Sequence, residues 1–98
     1  MSILQEVVIK TNASESLKPL VEAAIHNQIK SLRHGIQRTK ERIAEFEKRA
    51  GMSSAEFEEK LQSNQIDETI ETIDWNMELA ALHLLENQAK ALSEAEIG

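Results

Sequence analysis

Three histidines and a ladder of carboxylates are the side chains of this chain with the most chemical reach. His26 and His34 stand eight positions apart, which on one helix separates them by about 12 Å along the axis, too far to share one metal ion. His83 has Glu86 three positions after it, but carboxylate di-metal bundles use Glu-x-x-His, with the glutamate first. Ala80-Ala81-Leu82-His83 and Ala23-Ala24-Ile25-His26 both put alanine in that place. The histidines therefore read as surface or rim residues. Glu71, Asp74 and Glu78 follow each other at spacings of three and four, which puts them on one helical face. Like charges at that spacing repel, and a hard cation wants ligands converging from several elements. The ladder reads instead as an acidic face turned toward a basic surface, on a partner or on another helix of the chain. There is no cysteine, so disulfides and thiolate metal sites are excluded. No catalytic, cofactor-binding or metal-binding residue is assigned, and the chain reads as non-enzymatic.

Lys30, Arg33, Arg38, Lys40, Arg42, Lys48 and Arg49 form a basic stretch, interleaved with Glu41, Glu45 and Glu47. Salt-bridge pairs such as Glu45–Arg49, at i and i+4, and Glu41–Lys48, on neighbouring heptad rows, are expected. No aromatic side chain is interleaved on which bases could stack, so binding of single-stranded nucleic acid is not expected. Over the whole chain the net charge is −6. Residues 1–50 carry nine basic and six acidic side chains, and residues 51–98 carry two and eleven. A basic first half and an acidic second half suit two elements that pack side by side.

The elements needed to position these groups follow from periodicity. Ile3 to Thr11 is rich in β-branched residues and reads as a strand, with Val7 and Ile9 on one of its faces. No second strand candidate exists, so its edge must pair with a twin, with a partner's sheet, or remain an arm. Asn12 or Ser14 can cap the helix that follows, and Pro19 belongs in or near its first turn. Ile25, Ile29, Leu32, Ile36, Thr39, Ile43, Phe46 and Ala50 then alternate at spacings of four and three, a heptad seam with Thr39 as the polar interruption. This predicts a long helix over 14–50. Gly35 is its weak point and would also permit close approach of another backbone.

Gly51 suits a left-handed helix stop, and Ser53-Ser54-Ala55-Glu56 fits a capping box. A short helix over 54–62 follows, with Phe57 and Leu61 on one side. A last helix is expected over 67–93. Ile66, Ile70, Ile73, Met77, Ala80, Leu84, Asn87 and Ala91 repeat the four-three alternation, while Trp75, Leu79 and Leu82 lie to one side. That helix is apolar around much of its circumference and needs more than one neighbour.

The expected fold is mainly α: a long antiparallel helical hairpin of coiled-coil type, with a short connecting helix and one N-terminal β-strand. It forms a single domain that pairs as a homodimer into a four-helix arrangement. The candidate interface residues are Val7, Ile9, Ile25, Ile29, Leu32, Ile36, Ile43, Phe46, Phe57, Ile70, Ile73, Trp75, Met77 and Leu84, with Glu71, Asp74 and Glu78 as a partner-facing acidic set. The N-terminal residues are too short and polar for a signal peptide, and no apolar run reaches a membrane span of about 18 residues. A cytoplasmic location without membrane contact is expected.

The run Phe46-Glu47-Lys48-Arg49-Ala50-Gly51-Met52-Ser53-Ser54-Ala55-Glu56-Phe57, preceded by Glu15-Ser16-Leu17-Lys18-Pro19-Leu20-Val21-Glu22, resembles a group of small prokaryotic helical proteins. Some of these resemble antitoxin partners of neighbouring small toxins. This chain departs from that pattern at Asn64-Gln65-Ile66-Asp67, where a Gly-Asp-Asp-like stretch would stand. The resemblance implies a protein-binding module that neutralises a toxin-like partner; the acidic last helix, read from its own charges, would mask a basic surface on that partner. The alternatives are a purely structural homo-oligomeric coiled coil and, behind it, a metal-binding bundle.

Overall fold

The computed structural model of the chain describes residues 14–97, with side-chain surroundings for residues 17–95. The expected strand over 3–11, with Val7 and Ile9, lies outside the described residues. Three helices follow: α1 (Ser14–Ala50), α2 (Ser54–Gln62) and α3 (Ile70–Ile97). At 1.5 Å per residue α1 is about 55 Å long, and it sets the long dimension of a molecule measuring 58 × 22 × 20 Å. Pro19 stands inside α1 at its sixth residue, where it has no N–H for the Glu15 carbonyl.

The helix ends are built by the residues that mark them in the sequence. Gly51 has φ +67°, and the carbonyl of Glu47 accepts from both the Gly51 and Met52 N–H groups at 2.8 and 3.3 Å. That wrapping satisfies an end carbonyl of α1 and turns the chain. Ser53 caps α2, its hydroxyl accepting from the Glu56 N–H at 3.1 Å. The second N-terminal donor goes elsewhere: the Ser54 N–H bonds the Glu47 carboxylate at 2.8 Å. Glu47 thus holds the turn through its carbonyl and ties α1 to α2 through its side chain. At the far end of α2, Asn64 adopts φ +58°. The Gln65 N–H reaches the Lys60 carbonyl at 2.8 Å and the Asn64 N–H the Leu61 carbonyl at 3.2 Å. This is the Schellman arrangement with asparagine in the left-handed position.

α3 starts at Ile70, three residues later than the expected Asp67, and extends to Ile97 rather than Ser93. A reciprocal pair of threonines sets the start. Thr69 Oγ1 accepts from the Thr72 N–H at 3.2 Å, and Thr72 Oγ1 accepts from the Thr69 N–H at 2.8 Å. The Thr72 hydroxyl also donates to the Asp67 carbonyl at 3.0 Å, which holds Asp67 and Glu68 in the approach to the helix.

α1 and α3 lie side by side and antiparallel, in one register along their length. Arg49 pairs with Glu71 at 3.5 Å and Arg42 with Glu78 at 2.7 Å. Gly35 faces the Leu85 side chain, and Gln28 and Leu32 border one groove with Gln88 and Leu92. Each step is seven residues on both helices, the heptad repeat of a coiled-coil hairpin. On α1 the seam read from spacing faces inward: Ile29, Leu32, Thr39 and Ile43 are buried. Thr39 is accommodated because its hydroxyl donates to the Gly35 carbonyl at 2.8 Å. Gly35 meets a leucine side chain rather than the backbone anticipated from its size.

At the elbow end of the molecule is an aromatic stack made from all three aromatic residues of the chain. Trp75 stacks on Phe57, 3.9 Å away between ring centroids and 5° from parallel, and on Phe46, 5.9 Å away and 8° from parallel. Trp75 is 2% exposed and Phe57 0%. Ile43 and Leu79 complete the buried cluster, and Met52, Leu61, Ile66 and Leu82 pack against it. The indole N–H donates to Ser54 Oγ at 3.1 Å, so burial leaves it satisfied. The Arg49 guanidinium covers the outer face of Phe46 at 5.3 Å. One residue from each helix enters the stack, and this is what folds α2 back onto the hairpin.

Candidate interaction surface

α3 carries apolar residues on two opposite faces, and the structure decides which one the hairpin uses. Trp75, Leu79 and Leu82 point to α1 and α2. Most of the stripe with the four-three alternation is left uncovered by these helices, although Ile66 packs on the core cluster, Ile73 borders the elbow with Leu61 and Ala91 borders a groove with Gln28 and Leu32 of α1. Ile70 is 81% exposed, Ile73 44%, Met77 63% and Leu84 59%, and Ala80, Asn87 and Ala91 of the same stripe are exposed as well. The assignment of the α3 seam is therefore reversed. The reason is the aromatic stack: an indole buries more area than any aliphatic side chain of α3, and the two phenylalanines are placed to receive it.

The candidate interface residues separate accordingly. Ile29, Leu32, Ile43, Phe57 and Trp75 are buried within one chain, and Ile25, Ile36 and Phe46 are half-buried. They are taken up by the hairpin and do not offer a surface. Ile70, Ile73, Met77 and Leu84 remain as a contiguous outward stripe. Beside its N-terminal end, a groove of about 440 Å³ lies at the elbow between α2 and α3, with Leu61, Ile66 and Ile73 among its walls.

The acidic set is also divided. Glu78 bonds Arg42 and is half-buried, and Glu71 pairs with Arg49. Arg42 in turn reaches Thr39 Oγ1 at 3.4 Å. Only Asp74 of the three is without an α1 cation in the described ion pairs and faces outward. The basic surface for this ladder is thus the chain's own first helix, one of the two alternatives the sequence left open.

The flanks of the outward stripe are nearly uncharged. Asn76, Ala81, His83 and Gln88 border it, with Asp74 and Lys90 as the charged exceptions. The sequence is 29% charged overall, so such a face is a departure from the rest of the molecule. The four large side chains expose on the order of 400 Å², within the range of the largest apolar patch on a typical monomer, which is often functional.

Among the described residues, no group of three or more His, Asp and Glu side chains is placed to hold a metal ion. His26, His34 and His83 are all exposed. No described helix is long and apolar enough to cross a membrane. The segment that carries the resemblance is accounted for locally: Phe46 and Phe57 flank Trp75, Gly51 stops α1, Ser53 caps α2, and Glu47 links them. It is the elbow that assembles the core. No family model, curated protein or solved structure matches the chain, so that resemblance rests on these residues alone.

Proposed function

We propose that the chain is a non-enzymatic protein-interaction module whose working surface is the outward face of α3. The observation that carries this reading is the stripe of Ile70, Ile73, Met77 and Leu84, apolar at heptad spacing and uncovered among the described residues. Apolar surface of that extent is stabilised by removal from water at about 25 cal/mol per Å², and its regularity fits a second helix laid against it. The acidic ladder contributes little to partner choice, because two of its three carboxylates are engaged by α1. The neutralising role implied by the resemblance therefore has to be exercised through apolar docking rather than by masking a basic surface.

A photo-crosslinking amino acid placed at Met77 or Leu84, and at Arg38 on the far side of α1 as control, tests this in cells. Adducts are expected at 77 and 84 and not at 38. No adduct at the α3 positions, or equal yield at Arg38, would overturn the reading.

A further inference from the structure

We infer that the occupant of the α3 face is a second copy of the same chain, joined α3 to α3 into a four-helix bundle. This rests on the reading of that face as the working surface, and names its partner. Three observations favour a twin over an unrelated protein.

The first is periodicity. Ile70, Ile73, Met77, Ala80, Leu84, Asn87 and Ala91 keep the three-four alternation over three heptads, and the stripe is about 33 Å long. Side chains repeating every 3.5 residues form knobs whose matching holes lie on a helix of the same repeat, and an identical helix supplies them without further design.

The second is charge. Each copy bears a net charge of −6, so two copies repel unless the contact avoids the acidic groups. Glu71 and Glu78 are turned to α1 and neutralised there. Between Ile70 and Ala91 the stripe and its flanks hold one Asp and one Lys, Asp74 and Lys90, with Glu94 exposed at the next position of the same spacing. The face is neutral, which suits self-association and gives no purchase to a strongly basic or acidic partner.

The third is area. The four large side chains of each copy bring about 800 Å² together, and Ala80, Asn87 and Ala91 of the same stripe are exposed too, which approaches the roughly 1,000 Å² that a specific interface requires. Asn87 is the one amide within the stripe. A single polar residue in such a seam can pair with its twin and fix register.

The closing experiment uses the absence of cysteine. Wild-type protein at about 10 µM is expected to sediment at twice the 11.0 kDa chain mass, and Met77→Glu at the chain mass. Met77→Cys, made in the full chain, is expected to form an intermolecular disulfide in high yield under mild oxidation, and Arg38→Cys is not. A wild-type monomer overturns the inference. So does a dimer in which neither Ile70→Cys, Met77→Cys nor Leu84→Cys cross-links, since its contact then lies elsewhere. A monomer that still gives photo-adducts to another protein at Met77 removes the twin and leaves the interaction module standing. A monomer with no adduct removes both.

Discussion

Replacing Phe57 with alanine is the most informative perturbation of the fold. Phe57 is wholly buried and stacks on Trp75 at 3.9 Å, and it is the buried residue of α2. Truncating a buried phenylalanine costs about 3–5 kcal/mol, from lost transfer energy and from the cavity left behind. Here the upper half of that range is expected, because the stack with the indole is lost as well, worth about 0.5–1.5 kcal/mol. A chain of this length has a total stability of about 5–15 kcal/mol, so the loss is a large share of it. The assay is urea unfolding followed by circular dichroism and by the fluorescence of Trp75, the single tryptophan. The midpoint should fall markedly, and the emission of the folded variant should move to the red as one face of the indole meets water. Leu20→Ala, at a half-exposed site, should change stability by less than about 0.5 kcal/mol. A loss below about 1 kcal/mol for Phe57→Ala, with unchanged emission, would refute the stack as the organising centre.

Other substitutions test separate parts of the account. Gly35→Ala should stabilise by about 1 kcal/mol in thermal unfolding, because alanine favours the helix and its methyl would sit at an ordinary 3.6 Å from Leu85 Cδ1. Gly51→Ala should do the opposite by about 1–2 kcal/mol, since a Cβ is strained at φ +67° even with open space around it. Ser54→Ala deprives the buried indole N–H of its acceptor and should cost about 1–3 kcal/mol in urea unfolding. Arg42→Ala breaks the pair with Glu78, whose partners are 54% and 23% exposed. Its cost should stay under about 1 kcal/mol and shrink as salt is added.

What was legible in the sequence was mostly punctuation. The four-three spacing from Ile25 to Ala50 and the pair Gly51 and Ser53 place α1 and α2 with the bounds the structure shows, because capping chemistry is local and each signal stands within a few residues of its effect. α3 starts three residues after Asp67, since Asp67 and Glu68 suit a helix N-terminus electrostatically while the Thr69–Thr72 pair offers the stronger hydrogen-bonded cap. Which stripe of α3 faces inward has a tertiary cause. Periodicity alone cannot rank Ile70, Ile73, Met77 and Leu84 against Trp75, Leu79 and Leu82 when both sets repeat. The ranking comes from Phe46 and Phe57, on other helices, which form a slot for one indole. That only three aromatic residues occur in the chain was a usable hint that they would meet. The acidic ladder could have been assigned to α1 in the same spirit, since Arg42 and Arg49 are seven apart, as are Glu71 and Glu78.

The central claim is that one chain leaves an apolar face of α3 which a twin covers. The concentration dependence of the thermal midpoint tests it most directly, because a folded state completed by a second chain is stabilised by mass action. Between about 1 and 100 µM the wild-type midpoint should rise by several degrees, and in Met77→Glu it should stay flat. A wild-type midpoint independent of concentration over that range would contradict the account.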